Sequence, residues 1–289
     1  MKALKTPLRY PGGKSKAIKT LSPWFPKTIS EYREPFIGGG SIAIDVTKSN
    51  PDIPVWINDL YVPLYNFWVQ LRDSGEELSE RVREEKQRTL DEGDKDKVTA
   101  SAKELFNRYK EEIDTYDDFE KAVAFFIMNK CSFSGLTENS TFSKTASNSN
   151  FSLVGADKLA QFSKLIKDWK ITNIDYSEVM KENGSSDTFV FLDPPYDIKD
   201  FLYGKNREMH KSFDHDVFAK NCNECDMNMM ISYNADQPIK DRFQGWNELE
   251  FDHTYSMRST GDYMENQKGR KELVLTNYSL EQGSLEAFI

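Results

Sequence analysis

The apolar run FVFLDPPYDI (189–198) halts at an acid, two prolines and an aromatic ring, Asp193-Pro194-Pro195-Tyr196. An acid that ends a buried strand projects into the crevice at the rim of its sheet. The prolines cannot continue a hydrogen-bond ladder, and they set a rigid turn whose carbonyls are left to accept. Tyr196 adds a flat face. A carboxylate and a bare carbonyl can accept the two N–H bonds of an exocyclic amino group while the ring stacks on the base that carries it. Standing alone, D-P-P-Y is usually only a strand-ending turn, so its meaning depends on its neighbours.

The first neighbour is EPFIGGGSIAI (34–44). In open α/β sheets ligands bind beyond the carboxyl ends of the strands, and glycine there lets backbone approach the ligand closely. Phe36, Gly38 and Gly40 suit such a turn, with a helix starting near Ser41. Asp59, in INDL at the end of the next strand, follows the glycines by about 20 residues, the spacing at which an acid grips ribose hydroxyls. Turn and acid together favour a nucleoside-type cofactor. The order G-G-G-S-I-A retains a third small residue at Ala43, so this pattern by itself leaves a dinucleotide open. RYPGGKSK (9–16) contains Gly13-Lys14-Ser15, but a phosphate-binding loop needs a glycine five residues before Gly13 and a strand feeding it. Leu8 stands there and no strand precedes it, which argues against an NTPase.

These residues need a scaffold. Apolar segments at 31–36, 55–59, 171–175, 188–193, 227–233 and 272–278 read as buried strands, and helical patterns at 41–48, 61–72, 177–182 and 213–223 fall between many of them. That alternation predicts an α/β fold with a mainly parallel sheet. Residues 76–129 read instead as two or three charged helices, and the Ser/Asn/Thr-rich stretch 131–152 as a hairpin or mobile loop. The expected partition is an α/β domain from 1–62 and 166–289, with a mostly helical insertion at 63–165.

Composition narrows the class. The 289 residues are 38% hydrophobic and 13% aromatic, with no apolar run able to span a bilayer, which predicts a globular protein that meets no membrane. Three cysteines (Cys131, Cys222, Cys225) and a start without an apolar secretion segment predict a reducing, cytoplasmic setting. A net charge of −9 argues against a general nucleic-acid coat, yet residues 1–19 carry six Lys and Arg and no acid, so one basic cleft on an acidic surface is possible. Cys222-x-x-Cys225, near His210 and His215, offers one cysteine pair only. Cys222 falls among the apolar positions of a helix, so a free core cysteine is expected there and no metal site.

Taken together, RYPGGK (9–14), EPFIGGGS (34–41), INDL (57–60), NKCSFSGL (129–136), NIDYSEV (173–179), FLDPPY (191–196), MISYNAD (230–236) and RKELVLTNY (270–278) resemble the Dam-type DNA adenine-N6 methyltransferases. They occur in that family's order and span nearly the whole chain. The resemblance implies a Rossmann-like methyltransferase sheet that uses S-adenosylmethionine and releases S-adenosylhomocysteine. The inserted helical region becomes a target-recognition domain with a DNA-binding hairpin near 131–152. Double-stranded DNA is the implied partner, with no obligate protein partner. Tyr10, Lys14, Phe36, Gly38, Gly40 and Asp59 would line the cofactor pocket, Asp59 on the ribose, while Asp175 and Tyr176 match the stretch that meets the cofactor's adenine, with Asp193 at its edge. Asp193 and the Pro194 carbonyl would bind the target amino group, and Tyr196 would stack on the flipped base. Lys130, Phe133, Ser134, Leu136 and Glu138 fall in the DNA-facing segment, Phe133 as a wedge beside the target.

Adenine N6 is a poor nucleophile because its lone pair is conjugated into the ring. Accepting both N–H hydrogens favours a pyramidal nitrogen, so positioning and charge placement would carry most of the catalysis, without a metal. The buried base must first be flipped out, at about a few kcal/mol. Glu138 stands where many GATC-reading relatives carry a guanine-binding Arg. Glu only accepts, so it suits cytosine N4 rather than guanine, and GATC is a guess. Competing readings are a cytosine-N4 or RNA-adenine methyltransferase and a non-catalytic DNA-binding relative. DPPY favours adenine, and the intact Asp193, Pro194, Tyr196, Phe36 and Gly38 favour an enzyme.

Overall fold

A computed structural model describes residues 4–135, 141–195, 213–252 and 271–280. Its strands form one sheet: β1 (Glu31–Glu34), β2 (Val55–Asn58), β3 (Lys170–Thr172), β4 (Thr188–Leu192), β5 (Asn228–Asn234), β6 (Asn247–Asp252) and β7 (Lys271–Thr276). The order is β3-β2-β1-β4-β5-β7-β6. The first five run parallel, and β7 lies antiparallel between β5 and β6. This is the mainly parallel α/β sheet that the alternating pattern predicts, in the Rossmann-like arrangement that the resemblance implies.

β4 shows why the apolar run reads as a strand. All of Thr188–Leu192 is buried, because helices cover both faces of a parallel sheet and no polar alternation is needed. Side chains alternate between two cores. Phe189, Phe191, Met230 and Val274 join the larger one, while Val190, Leu192, Ile231, Tyr233 and Leu273 join the other.

The helices are α1 (Ile18–Leu21), α2 (Ser41–Ser49), α3 (Val62–Asp73), α4 (Gly75–Leu90), α5 (Lys95–Glu112), α6 (Asp118–Cys131), α7 (Lys144–Asn150), α8 (Leu153–Ile166), α9 (Tyr176–Lys181), α10 (His215–Asn223) and α11 (Gln237–Arg242). α3 to α8 follow one another from Val62 to Ile166. Their Phe67, Trp68, Phe126 and Leu159 share one core with Tyr32 of β1 and Ile42 and Val46 of α2. α4 packs on α8 so closely that a Cβ on Gly75 would lie 2.2 Å from the Ser163 Cβ. Cys222 is buried beside Phe218 in the second core, as a core cysteine should be.

Two elements depart from the sequence expectation. β6 was not foreseen, because Asn247–Asp252 is mostly polar. It is an edge strand whose Glu248 and Glu250 bind Lys240 at 2.8 and 2.6 Å while Leu249 and Phe251 are partly buried. Within 131–152, only the first part is hairpin-like, with an antiparallel bridge between Ser132 and Phe142. Residues 144–150 are helix α7. The Ser143 hydroxyl caps it by accepting from the Ala146 amide, and burial of Ala146 and Ser147 outweighs the weak helix propensity of Ser and Asn. Among the described residues no helix is long and apolar enough to cross a membrane.

Candidate active site

β1 and β4 are parallel neighbours, and from them the sheet grows outward in opposite directions. Such a reversal opens a crevice at the carboxyl ends of the two strands, where ligands of open α/β sheets bind. The glycine turn leaves β1 here, and Asp193 leaves β4.

The turn is built around glycine at two points. Gly38 and Gly40 have φ of +46° and +67°, the left-handed region that side chains disfavour. A Cβ on Gly40 would sit 2.6 Å from the Trp68 ring, and one on Gly38 would meet the Tyr10 ring at 3.0 Å. Trp68 Nε1 donates to the Gly38 carbonyl at 3.2 Å, tying α3 to the turn. Tyr10 thus lies against the glycines of the turn.

Asp59 follows β2 and turns back onto that loop. Its Oδ2 accepts from the Gly38 amide at 3.1 Å and its Oδ1 from the Tyr61 amide at 3.0 Å. Burial pushes its carboxyl up to about 6, with the amides of Tyr61, Gly38 and Leu60 pulling the other way. Asn58 beside it is fully buried and joins three strand exits. Its Nδ2 donates to the Pro35 and Ile174 carbonyls at 3.1 and 3.0 Å, and its Oδ1 accepts from Thr172 Oγ1 at 2.8 Å and the Ile174 amide at 3.0 Å. Sequence reasoning missed Asn58. Its place directly before the ribose-type acid was the available signal.

At the β3 exit, Asp175 is exposed and caps α9 by accepting from the Ser177 amide at 2.9 Å. Tyr176 packs on Phe36, ring centroids 5.3 Å apart, and on Phe213 and Phe218 at 5.6 and 5.5 Å. Burial raises its phenol to about 12, while the bond donated by Asn221 at 3.3 Å opposes the shift. Phe36 and Tyr176, distant in sequence, therefore make one aromatic wall.

Asp193 is held from below. Lys14 Nζ lies 2.8 Å from both Asp193 oxygens and 3.2 Å from Glu272 Oε1. Lys14 also donates to the Gly12 carbonyl at 3.1 Å, and Ser232 Oγ donates to Glu272 Oε1 at 2.6 Å. Burial disfavours the Lys14 charge, yet Asp193 and Glu272 outweigh it and raise the ammonium above its usual value. Lys14 and Glu272 are 4% and 1% exposed, whereas Asp193 retains 22%, so the cluster opens outward only at Asp193. Pro194 is buried next to it. Glu272 and Ser232 were not singled out as site residues, because nothing local in RKELVLTNY connects them to Asp193.

Glu34, at the end of β1, is a further buried acid. Its Oε2 accepts from the Ala43 amide at 2.9 Å and from the Tyr32 hydroxyl at 2.8 Å. Burial above all pushes its carboxyl up to about 8, so it is largely protonated at neutral pH.

The segment expected to meet DNA is locked to the N-terminal loop. Asn129 Oδ1 accepts from the Arg9 amide at 2.9 Å, and Nδ2 donates to the carbonyls of Arg9 at 2.7 Å and Gly135 at 3.1 Å. Lys130 turns inward, donating to the Pro7 carbonyl at 2.6 Å, and burial followed by repulsion from Arg9 and Lys158 lowers its amine to about 7. Phe133 by contrast is 51% exposed. Tyr196, Leu136, Glu138 and the Ser134 side chain lie outside the described residues, as does His210.

Comparison with known proteins bears on this geometry. Among curated proteins, the chain is 25% identical over 200 residues to the type II methyltransferase M.MjaIII of Methanocaldococcus jannaschii, covering 65% of this chain and 68% of that protein. It is 23% identical over 287 residues to the type II methyltransferase M1.LlaDCHI of Lactococcus lactis subsp. cremoris, covering 93% and 94%. With the modification methylase StsI of Streptococcus sanguinis it shares 24% identity over 98% of its own length but only 44% of that longer protein. Residues 10–257 match the model of one family across the glycine turn, the helical insertion and the Asp193 corner, and the chain belongs to the D12 class N6 adenine-specific DNA methyltransferases.

Proposed function

We propose that this adenine-specific methyltransferase moves a methyl group from S-adenosylmethionine to N6 of an adenine flipped out of duplex DNA. One observation carries the reading: the Asp193 carboxylate and the Pro194 backbone leave β4 directly beside the glycine turn of β1, at the reversal point of the sheet. The residues present fit the cofactor. Gly38 and Gly40 hold a turn that a Cβ would obstruct, Asp59 is bonded to that turn, and Phe36 with Tyr176 forms an apolar wall for a flat ring. When bound, S-adenosylmethionine supplies an electrophilic methyl group and leaves as S-adenosylhomocysteine.

The chain's own residues do the rest. Asp59 grips ribose hydroxyls, which requires its carboxylate form. Asp193 and the Pro194 carbonyl accept the two N6 hydrogens and orient the amine's lone pair. Asp193 need not remove a proton beforehand, because Lys14 donates to both of its oxygens and weakens it as a base while leaving it an acceptor. Tyr196 stacks on the extruded base, and Phe133 enters the duplex beside it to offset part of the flipping cost. The helical insertion, 63–165, acts as the target-recognition domain on the catalytic part, 1–62 and 166–289. A modification role beside a restriction enzyme is supported by the names of the relatives. GATC remains the first target sequence to try, with Glu138 the residue most able to alter it.

The test is direct. The protein is incubated with labelled S-adenosylmethionine and duplex DNA or RNA, and the methylated nucleoside is identified after digestion. N6-methyldeoxyadenosine is expected, whereas N4-methyldeoxycytidine, label in RNA alone or no label would reject the reading.

A further inference from the structure

Glu272 reaches the active site through the direction of its strand. β7 is antiparallel to β5, so its first residues lie at the end of the sheet where the parallel strands finish. Asn234 pairs with Glu272 and Ser232 with Val274, which puts Ser232, Val274 and Glu272 on one face of the sheet. Phe189, Phe191 and then Asp193 alternate onto that same face, since Phe191 pairs with Met230. Phe191 and Met230 therefore form an apolar row, and beyond them on the same face lie Asp193, Ser232 and Val274 and then Glu272, with Lys14 bonded to Asp193 and Glu272.

We propose that Glu272 is the positioning residue of the catalytic acid: anchored by Ser232, it shares the Lys14 ammonium with Asp193 and holds it against both oxygens of that acid, beneath the target amine. This rests on the reading of Asp193 as the acceptor of N6. Without a second carboxylate, Lys14 would draw more tightly on Asp193 and compete with the incoming N–H donors. Among the described residues, the carboxylates that act on Lys14 are Asp193 after β4 and Glu272 on β7, and the largely protonated Glu34 at the end of β1 feels Asp193.

The test compares wild type, Glu272→Gln and Ser232→Ala in the full-length protein, on duplex bearing the target sequence. Glutamine keeps the shape of the side chain and an oxygen for Ser232 but removes the charge. One readout is single-turnover methyl transfer across pH. The other, without cofactor, is the ratio of affinities for duplexes with adenine or with purine, which lacks the 6-amino group, at the target position. Glu272→Gln is expected to slow transfer about 10–100-fold with cofactor KM nearly unchanged, by analogy with residues that orient a reacting group from behind. Its alkaline limb should move to lower pH, because Lys14 loses one of the two carboxylates that keep it protonated. The preference for adenine over purine should fall about tenfold, the loss of one good hydrogen bond. Ser232→Ala, which keeps every charge, should cause a smaller loss in the same direction. A Glu272→Gln protein with wild-type rate, pH limb and adenine preference would overturn the inference and leave the proposed activity standing. Absence of N6 methylation by the wild type would instead overturn the activity itself. Should Glu272→Gln fail to fold, Ser232→Ala decides, and wild-type rate and adenine preference in that variant would reject the role.

Discussion

Lys14 Nζ lies 2.8 Å from each carboxylate oxygen of Asp193, so the acid at the end of β4 is clamped by a residue that folds back from the chain's opening segment. The clamp constrains what Asp193 can be. A carboxylate whose oxygens already accept from an ammonium is a weaker base than a bare one but still has a lone pair for one amine hydrogen, the other being left to the Pro194 carbonyl. The role proposed for it is therefore placement rather than proton removal.

Replacing Asp193 by alanine tests that role. Lys14 keeps Glu272 as a buried counter-charge at 3.2 Å, so the fold should persist. Methyl transfer is expected to fall at least about 10²–10³-fold, the loss seen when a preorganised polar partner is removed. Cofactor affinity, measured by calorimetry, should change little. Normal turnover by Asp193→Ala would remove this residue from the mechanism.

The glycine turn makes a sterically explicit prediction. In Gly40→Ala the new Cβ would sit 2.6 Å from the Trp68 ring at a φ of +67°. Trp68 is fully buried and also donates to the Gly38 carbonyl, so it cannot move without disturbing the loop. Backbone strain alone costs about 1–3 kcal/mol, and overpacking adds a similar amount. Urea unfolding should show a loss of about 2–6 kcal/mol together with weaker cofactor binding. A variant as stable as the wild type would mean that the turn can relax at no cost.

Glu34 predicts a pH dependence of stability. Its folded value of about 8 lies above the ordinary 4.5, chiefly through burial. The folded state therefore holds this proton to higher pH than the unfolded chain does. The favourable contribution is complete below about 4.5 and is lost as pH rises towards 8, by an amount on the order of 5 kcal/mol. Glu34→Gln, which keeps an oxygen for the Ala43 amide, should flatten the unfolding free energy between pH 5 and 8. An unchanged slope would assign the dependence to other groups.

Much of the site was legible because its parts are local. The glycine turn, the acid about 20 residues beyond it and the D-P-P-Y corner each occupy a few consecutive residues whose types disclose their geometry. The buried strands were legible for the same reason, as in the unbroken apolar run of β4. What escaped depends on distant partners. Glu272 and Ser232 matter through an antiparallel pairing, Glu34 through the start of α2, and Asn58 through three loop ends. Polar composition hid β6 and α7, whose partners override weak intrinsic preference.

Phe133 carries the prediction for DNA. It is the large aromatic side chain left 51% exposed in the segment that Asn129 and Arg9 bind together, so a rigid base presents an apolar ring to solvent. Exposure of this kind contributes little to folding, and Phe133→Ala should alter unfolding free energy by less than about 0.5 kcal/mol. In duplex DNA the same ring would replace stacking lost by the extruded base. With 2-aminopurine at the target position, the variant should give a clearly smaller fluorescence rise on binding, while cofactor affinity stays within about twofold of wild type. A full fluorescence rise would deny the ring any wedge role. A parallel loss of cofactor affinity would point instead to damage in the loop that joins residues 7–14 to 129–135, since that loop also delivers Lys14 to Asp193.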